Sequence, residues 1–410
     1  MRILTISANY PPYHSGGYGI RVKNIMDGLV ERRHEVIILT TKPGEPIGED
    51  RTVTHYPIFR VLHDRYGVRS FPKEVSRDIL DVKRISGIVI RFQPDVIYLG
   101  HIYPLTKQLF PYLSTFHIPI ISDEGGNSLK GAWTEHGRWF RFTGDYRTRI
   151  KWMNRLKPLV VSMVRFLSRG RIGKDWYWPE KLSVIFNSKK NRDFVLGLGV
   201  PIKRSEVLYS GIDAETFTFR LREVLSTPIK IICPGRIEPR KGQLDAVPLV
   251  EALRVEGIVA ELVLVGKVFS EEYEQKIHEE TERCDLDKQI QILPMISQDE
   301  LVKLYHQADF CFFPSYQESG LSRIPLEAMA CGSVVISYGN EGSDEIIIDS
   351  ENGFLVAPGD IDQAAQLIAS LLISPNVVQD ICAKARKDVT EKYSLPGYLD
   401  KIEGFIKQAS

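Results

Sequence analysis

The sequence from Phe313 to Gly332 is FPSYQESGLSRIPLEAMACG, which predicts the end of a strand, a loop and a helix in succession. The largely apolar residues 308–313 are typical of a buried parallel strand. A helix follows at 324–330, with a proline in its first turn, where proline is tolerated. A loop that enters a helix in this way directs free backbone N–H groups and the positive end of the helix dipole towards a ligand, which favours a phosphate.

Two glutamates in this stretch, Glu318 and Glu327, do not suit a site for anions alone. A carboxylate accepts hydrogen bonds from the hydroxyl groups of a sugar. Donors for a phosphate beside acceptors for hydroxyl groups therefore indicate a nucleotide-sugar site. We expect it outside the carboxyl ends of the strands, where open parallel sheets bind their ligands.

The stretch resembles the retaining glycosyltransferases of family four, which have the two-domain fold called GT-B. That family carries two glutamates with seven residues between them, the second followed by Ala-Met-Ala and a glycine. Here eight residues separate Glu318 from Glu327, and the extra one lies in the loop at 319–323. The resemblance implies that Glu327 binds the ribose and Glu318 contacts sugar hydroxyl groups. It also implies that the donor lies against Gly320, Leu321 and Ser322.

Size and composition bound the class of protein. A chain of 410 residues predicts two domains, and 43% hydrophobic with 26% charged residues is ordinary for a soluble globular protein. The five cysteines contain no C-x-x-C pair and begin only at Cys233, which argues against a disulfide framework or a zinc site and for a reducing compartment. Neither a signal peptide nor a membrane-spanning helix is predicted.

The net charge of +1 conceals a difference between the two halves. Residues 1–205 contain 34 Lys and Arg against 18 Asp and Glu, whereas residues 206–410 contain 19 against 34. The first half is therefore the one expected to attract an anionic partner or surface.

The first forty residues predict a βαβ unit, with strands at 2–8 and 36–39 and a helix of apolar residues at helical spacing between them. Gly16 and Gly17 lie in the loop before the helix, where they allow the backbone to approach a ligand closely. The resemblance implies that this loop faces the phosphate and the sugar of the donor. The alternative is a tight turn.

Polar residues follow the strands predicted at 96–99 and 118–122. His101 comes after the first of them, and Asp123 and Glu124 come after the second, so all three are candidates for the acceptor and the transferred sugar. The family usually has a histidine where this chain has the two acids. The alternatives are that the acids cap a helix or turn and that His101 is a turn residue.

A basic, tryptophan-rich segment extends from 136 to 178. It contains 11 Lys and Arg, opposed only by Asp145 and Asp175, and all five tryptophans lie between 132 and 179. Such a composition suits an amphipathic helix on an anionic membrane, and equally a solvated basic face whose tryptophans pack in a core. No nucleic-acid module is recognisable, and no nucleic-acid partner is expected. These features favour a cytoplasmic protein, peripheral on the inner face of the membrane where this segment contacts it.

The second half opens with a strand at 229–233, followed by a loop that contains Gly235, Arg236 and Lys241. The two cations resemble the family's diphosphate-binding pair. A nucleoside diphosphate gains negative charge as the glycosidic bond breaks, so fixed cations stabilise the transition state more than the ground state. No Asp-x-Asp precedes the site. We therefore expect neither a metal nor a cofactor.

Four later residues complete the donor site that the resemblance implies. Gly266 forms a donor-side turn after a strand, and Met295 and Ile296 hold the base through backbone and apolar contacts. Glu345 matches an acidic residue of the family, with the alternative that it is the N-terminal acid of a helix.

The expected architecture is an α/β protein of the GT-B type, with two doubly wound Rossmann-like domains facing a cleft. Residues 1–216 form the acceptor-binding domain and 217–395 the nucleotide-sugar domain, with a charged linker at 217–228. A C-terminal helix at 396–410 crosses back to the first domain.

The expected reaction is sugar transfer with retention and without a metal, from a nucleotide-diphospho-sugar, with UDP-glucose as the first choice. The acceptor is a glycan or a lipid-linked glycan of polysaccharide biosynthesis. Three alternatives remain open: a nucleotide-sugar epimerase, a nucleotide-sugar-binding protein without turnover, and a basic adaptor for nucleic acid or membrane.

Overall fold

The computed structural model describes residues 1–8, 10–13, 17–41, 55–64, 70–106, 108–126, 128–135, 139, 142–143, 151–172, 178–318 and 320–410. The chain divides into two compact units. The first contains Met1–Asn187, Asn191–Leu208 and Leu399–Ser410, and the second contains Ser188–Lys190 and Tyr209–Tyr398. The second unit thus begins at Tyr209, where the sequence predicts 217, and the chain returns to the first unit at Leu399, where the sequence predicts 396.

The first unit is built on a parallel sheet whose strands follow the order β3-β2-β1-β4-β5-β6-β7. The strands are β1 (Arg2–Ser7), β2 (Glu35–Thr41), β3 (Ile58–Leu62), β4 (Val96–Leu99), β5 (Ile120–Glu124), β6 (Leu182–Phe186) and β7 (Arg204–Val207). The described helices between them are α1 (Gly17–Glu31), α2 (Phe71–Phe92), α3 (Leu109–Ser114), α4 (Ser128–Glu135), α5 (Lys151–Leu167) and α6 (Lys189–Gly197). The strand order reverses between β1 and β4, which is where such sheets bind ligands.

The second unit repeats this design with a parallel sheet of order β10-β9-β8-β11-β12-β13. Its strands are β8 (Ile229–Pro234), β9 (Ala260–Val265), β10 (Ile290–Leu293), β11 (Phe310–Phe313), β12 (Val334–Ser337) and β13 (Phe354–Leu355). Its helices are α7 (Ala246–Val255), α8 (Glu271–Arg283), α9 (Gln298–Gln307), α10 (Ile324–Cys331), α11 (Ile361–Leu372) and α12 (Pro375–Lys392). The order reverses between β8 and β11, so the two doubly wound α/β units that the sequence predicts are confirmed.

Helix α10 confirms the interpretation of the stretch that follows β11. Its residues from Pro325 to Cys331 are all buried, because it is apolar on almost every side and packs into the core of the second unit. Gly332 ends the helix at a φ of 86°, in the left-handed region that favours glycine. A side chain at this position would place Cβ 2.3 Å from the carbonyl oxygen of Arg220.

The segment 217–228 was predicted to be a linker, and this prediction is wrong. Phe217 is fully buried in the second unit. The buried guanidinium group of Arg222 donates to the carbonyl oxygens of Tyr305 (2.7 Å) and Gly332 (3.3 Å). The segment contains charged residues and no regular spacing of apolar ones, so the sequence predicted it to be exposed. A few specific hydrogen bonds hold it against the core instead.

The last helix, α13 (Leu395–Ala409), confirms the predicted return of the chain to the first unit. Gly28 on α1 makes room for Leu399, since a side chain there would place Cβ 2.3 Å from a Leu399 methyl group. Two polar contacts flank it. Arg32 forms an ion pair with Asp400, and a ring nitrogen of His34 lies within hydrogen-bond distance of the carboxylate of Glu403 (3.1 Å).

The tryptophans of the basic segment that the structure describes pack inside the first unit. Trp139 is buried, and Trp133 meets Trp178 edge to face at 5.3 Å. The indole nitrogens of Trp133 and Trp178 donate to the carbonyl oxygens of Leu198 and Pro201. The side chain of Trp152 and the whole of Trp176 lie outside the described residues.

Among the described residues no single helix is long and apolar enough to cross a bilayer. Helices α11 and α12 meet that requirement only when taken together, with a bend of 107° between them.

We expect Gly332→Ala to lower the free energy of unfolding by about 2 kcal/mol or more, because the new methyl group meets backbone and the left-handed φ disfavours alanine. The matched control is Gly404→Ala on α13, where a methyl group meets nothing within 4 Å. That variant should be unchanged or stabilised by about 0.5–1 kcal/mol. Urea unfolding measures both, and equal stability of the two variants would contradict the close packing around Gly332.

Candidate functional site

The loops that leave β8 and β9 meet at two of the predicted donor glycines. The N–H of Gly235 donates to the carbonyl oxygen of Val265 (2.9 Å), and a Cβ on Gly266 would lie 1.9 Å from the carbonyl oxygen of Gly235. A Cβ on Gly235 would lie 3.6 Å from Ile324, the first residue of α10. The turn after β8, the turn after β9 and the start of α10 therefore form one continuous rim.

Arg236 lies on this rim with about a third of its side chain exposed. Its guanidinium group pairs with Glu238 at 3.0 Å and lies over the ring of Phe269. The exposed fraction leaves the group able to contact a ligand at the carboxyl end of β8.

Lys241 ends a short 3-10 turn at Pro239–Lys241 and is buried, with 7% of its surface exposed. Its ammonium group pairs with both carboxylate oxygens of Glu341, at 2.5 Å to Oε1. Ser315 donates to the same carboxylate at 2.8 Å. The sequence predicts Lys241 as a site residue but does not single out Glu341, which lies in the loop after β12.

The backbone of Glu341 holds the loop that contains Glu318. Its N–H donates to the carbonyl oxygen of Gln317 (2.7 Å), and its own carbonyl oxygen accepts from the N–H of Ser322 (3.1 Å). A Cβ on the next residue, Gly342, would lie 2.5 Å from the carbonyl oxygen of Gly320. The loops after β11 and β12 are thus fastened together by backbone contacts.

The two predicted glutamates have different surroundings. Glu327 is buried in the first turn of α10, where it accepts from Arg323 (3.1 Å) and from the hydroxyl group of Tyr305 (3.4 Å). Burial and the nearby Glu327 raise the pKa of Tyr305 well above its ordinary value. Glu318 is exposed on the loop.

The remaining predicted donor residues lie along the same edge of the second sheet. Leu321 is buried in the core, and the hydroxyl group of Ser322 accepts from the N–H of Ile324. Met295 and Ile296 are half-buried and follow the edge strand β10.

Glu345 lies within the second unit in the short 3-10 turn Ser343–Glu345. Its carboxylate accepts from the backbone N–H groups of Lys189 and Lys190 and from the hydroxyl group of Tyr209. Lys189 and Lys190 belong to the second unit, so these hydrogen bonds lie within that unit.

In the first unit, α1 begins at Gly17, which is exposed, while Gly16 lies outside the described residues. The ring of Tyr18 lies 5.2 Å from that of His101, and its hydroxyl group donates to the carbonyl oxygen of Asp123. The structure therefore brings Gly17, His101 and Asp123 together at the carboxyl edge of the first sheet.

Asp123 is fully buried, with its carboxylate already engaged. It pairs with the guanidinium group of Arg21 and accepts from the hydroxyl group of Tyr98 at 2.9 Å. Arg21 lies on the buried face of α1 and is not among the site residues that the sequence predicts. The sequence did contain a sign of this pair. Arg21 lies among the apolar positions of a predicted helix, and an arginine that is buried there needs a buried partner.

Glu124 is also fully buried, and its carboxylate accepts from the N–H groups of Gly126, Ser128 and Leu129 at 2.8–3.1 Å. Gly126 precedes α4, and Ser128 and Leu129 are its first two residues, so the geometry fits the alternative that Glu124 caps a helix. Burial raises its pKa to about 7, against the opposing effect of the three hydrogen bonds.

The residues that the structure describes form no cluster of three His, Cys, Asp or Glu side chains suited to a metal ion.

Two family models match consecutive parts of the sequence. Glycosyltransferase Family 4 matches residues 15–216, and Glycosyl transferases group 1 matches residues 217–388. The chain belongs to the family 4 glycosyltransferases of group 1. It is therefore an enzyme of the glycosyltransferase class, as the stretch around Glu327 predicts.

This glycosyltransferase is similar along its length to proteins of several organisms. It is 23% identical to glycogen synthase of Mycobacterium tuberculosis over 96% of this chain and 91% of that protein. It is 25% identical to the sulfoquinovosyl transferase SQD2 of Arabidopsis thaliana, over 96% of this chain and 70% of that protein. Among solved structures, that of Anabaena HepE in complex with UDP matches this structure over 100% of both chains, with a TM-score of 0.71 and 16% sequence identity. This likeness confirms the GT-B fold.

We expect a pH effect on the stability of this glycosyltransferase from Glu124. The folded protein holds a proton on the carboxyl group up to a pH of about 7, whereas the unfolded chain releases it near 4.5. Between these values rising pH favours unfolding. The free energy of unfolding of the wild type, relative to Glu124→Gln, should therefore fall by up to about 3 kcal/mol between pH 5 and pH 8. Urea unfolding across this range measures it, and parallel curves for the two proteins would contradict the raised pKa.

Proposed function

We propose that this glycosyltransferase is a retaining, metal-independent hexosyltransferase that uses a nucleotide-diphospho-sugar. The observation that carries the proposal is the rim formed by Gly235, Gly266, Arg236, Lys241 and the start of α10. Two cations and a helix N-terminus at one edge of a parallel sheet are groups that stabilise a diphosphate. The two touching glycine turns beside them let a ligand approach the backbone closely.

The leaving group explains the need for two cations. As the bond to the sugar breaks, the nucleoside diphosphate gains negative charge, and cations held in place stabilise that charge without reorganisation. Arg236 and Lys241 are proposed to stabilise this charge. In other enzymes a divalent metal ion has this role. The departing phosphate then takes the proton of the acceptor on the same face of the sugar, so that the anomeric configuration is retained.

The donor is proposed to be a UDP-sugar, with UDP-glucose as the first choice. Solved structures of HepE contain UDP and UDP-glucose, and they share the fold of this chain. The base is proposed to lie against Met295 and Ile296, the ribose against Glu327, and the sugar against Glu318 and the loop at 320–322.

The acceptor is proposed to be a glycan or a lipid-linked glycan of polysaccharide biosynthesis, bound by the first unit near His101. Asp123 and Glu124 are proposed to support this site rather than to contact the substrate, because neither has exposed surface. Nothing in the chain's relatives favours an epimerase or a binding protein without turnover.

We expect Arg236→Ala and Lys241→Ala each to reduce turnover at least tenfold, because each removes a charge-assisted hydrogen bond worth about 1.5–3 kcal/mol in the transition state. The matched control is Arg240→Ala, in the same turn but with 56% of its side chain exposed. It should retain nearly all activity. The assay measures sugar release from UDP-glucose and other nucleotide sugars, with circular dichroism to confirm folding.

The same assay tests whether the reaction needs a metal ion. Turnover should be unchanged by EDTA, and loss of activity with EDTA would contradict metal independence. Wild-type rates for both alanine variants would overturn the roles given to Arg236 and Lys241.

We also propose that α5 lies against an anionic membrane. Its apolar residues Leu156, Leu159, Met163 and Phe166 recur at helical spacing and are exposed, Leu159 by 68% and Phe166 by 82%. The exposed side chains of Arg165 and Arg169 flank this stripe, and no acidic residue occurs between 146 and 174. Basic groups beside exposed apolar ones fit a surface of anionic lipids.

Replacement of both Leu159 and Phe166 by serine should weaken binding to phosphatidylglycerol-containing vesicles at least tenfold, because two large apolar side chains no longer enter the lipid. The control is Ile373→Ser, an equally exposed apolar residue of the second unit. Vesicle co-sedimentation measures the affinities. Equal binding by the double variant and the control would rule out α5 as the membrane contact.

A further inference from the structure

Glu341 has a backbone conformation that glutamate rarely adopts. Its φ is 51°, in the left-handed region, as are the φ values of Gly339 (71°), two residues before it, and of Gly342 (72°), the next residue. Glycine is favoured at such positions. The glutamate is therefore held at this position by the contacts of its side chain and by its backbone hydrogen bonds.

The side chain of Glu341 is buried against the proposed donor site. With 7% of the residue exposed, its carboxylate meets the ammonium group of Lys241 at 2.5 Å and the hydroxyl group of Ser315 at 2.8 Å. Lys241 is equally buried, so its charge needs an anionic partner whenever no ligand supplies one.

A pyrophosphate at Lys241 would supply the same kind of partner. It would then lie next to the carboxylate of Glu341, since both anions would contact one ammonium group. Two anions at that separation repel each other strongly where water is excluded. The donor and Glu341 therefore cannot both pair fully with Lys241.

We propose that Glu341 competes with the pyrophosphate of the donor for Lys241. The inference rests on the proposed function, because it needs a diphosphate at that lysine. In the donor-free enzyme the carboxylate neutralises the buried ammonium group, and donor binding displaces it. Glu341 thereby weakens the binding of the donor and of the nucleoside diphosphate that is left after transfer.

The backbone of Glu341 links this exchange to the neighbouring loop. Its N–H and its carbonyl oxygen hold Gln317 and Ser322, which lie on either side of the exposed Glu318. Displacement of the carboxylate therefore occurs at the residue that fastens the sugar-binding loop.

Two variants of Glu341 test the competition. Glu341→Gln keeps the volume and can still accept from Ser315, but it loses the charge. Glu341→Gly removes the side chain and also relieves the left-handed φ. Isothermal titration with UDP and, in parallel, GDP should show at least fivefold tighter binding to both variants than to the wild type. The donor KM should fall by a similar factor.

The control is Glu351→Gln, which changes the net charge equally at an exposed position of the same unit and should bind UDP as the wild type does. Unchanged or weaker binding by both Glu341 variants, with the wild type binding normally, would overturn the competition and leave the proposed function intact. If the wild type bound neither nucleotide, the proposed function and this inference would both fail.

Discussion

Lys241 is a buried ammonium group, and a buried charge must be paired. This constraint organises the edge of the second sheet. The partner comes from the loop after β12, a hundred residues further along the chain, and Ser315 from the loop after β11 joins the same carboxylate. An unpaired charge in this place would cost several kcal/mol, so the loops after β8, β11 and β12 are tied to one another.

The first unit uses the same principle at the corresponding edge of its own sheet. Arg21 on α1 is buried and pairs with Asp123 at the end of β5, and Tyr98 at the end of β4 donates to the same carboxylate. In both units, therefore, a buried cation and a carboxylate hold together loops that a sheet alone leaves independent. The surroundings of the two pairs differ. Among the described residues, the partly exposed Arg236 and two touching glycine turns lie beside the pair of the second unit.

Local patterns in the sequence predicted the helices and strands. They could not predict which residues far apart in the sequence form pairs. Helix α10 and its terminating Gly332 follow from an apolar run, a proline and a glycine within twenty residues. Glu341 pairs with Lys241, 100 residues away, and Arg21 pairs with Asp123, 102 residues away. The spacing of neighbouring residues cannot predict contacts of this kind. The charged segment 217–228 was misjudged for the same reason, because the carbonyl groups that bind Arg222 lie far along the chain.

The central claim is that the edge of the second sheet binds a diphosphate. A crystal structure of the protein soaked with UDP tests it most directly. The account predicts density for the two phosphates against the backbone of Gly235, the side chains of Arg236 and Lys241, and the first turn of α10. Density for the phosphates at any other place would contradict it.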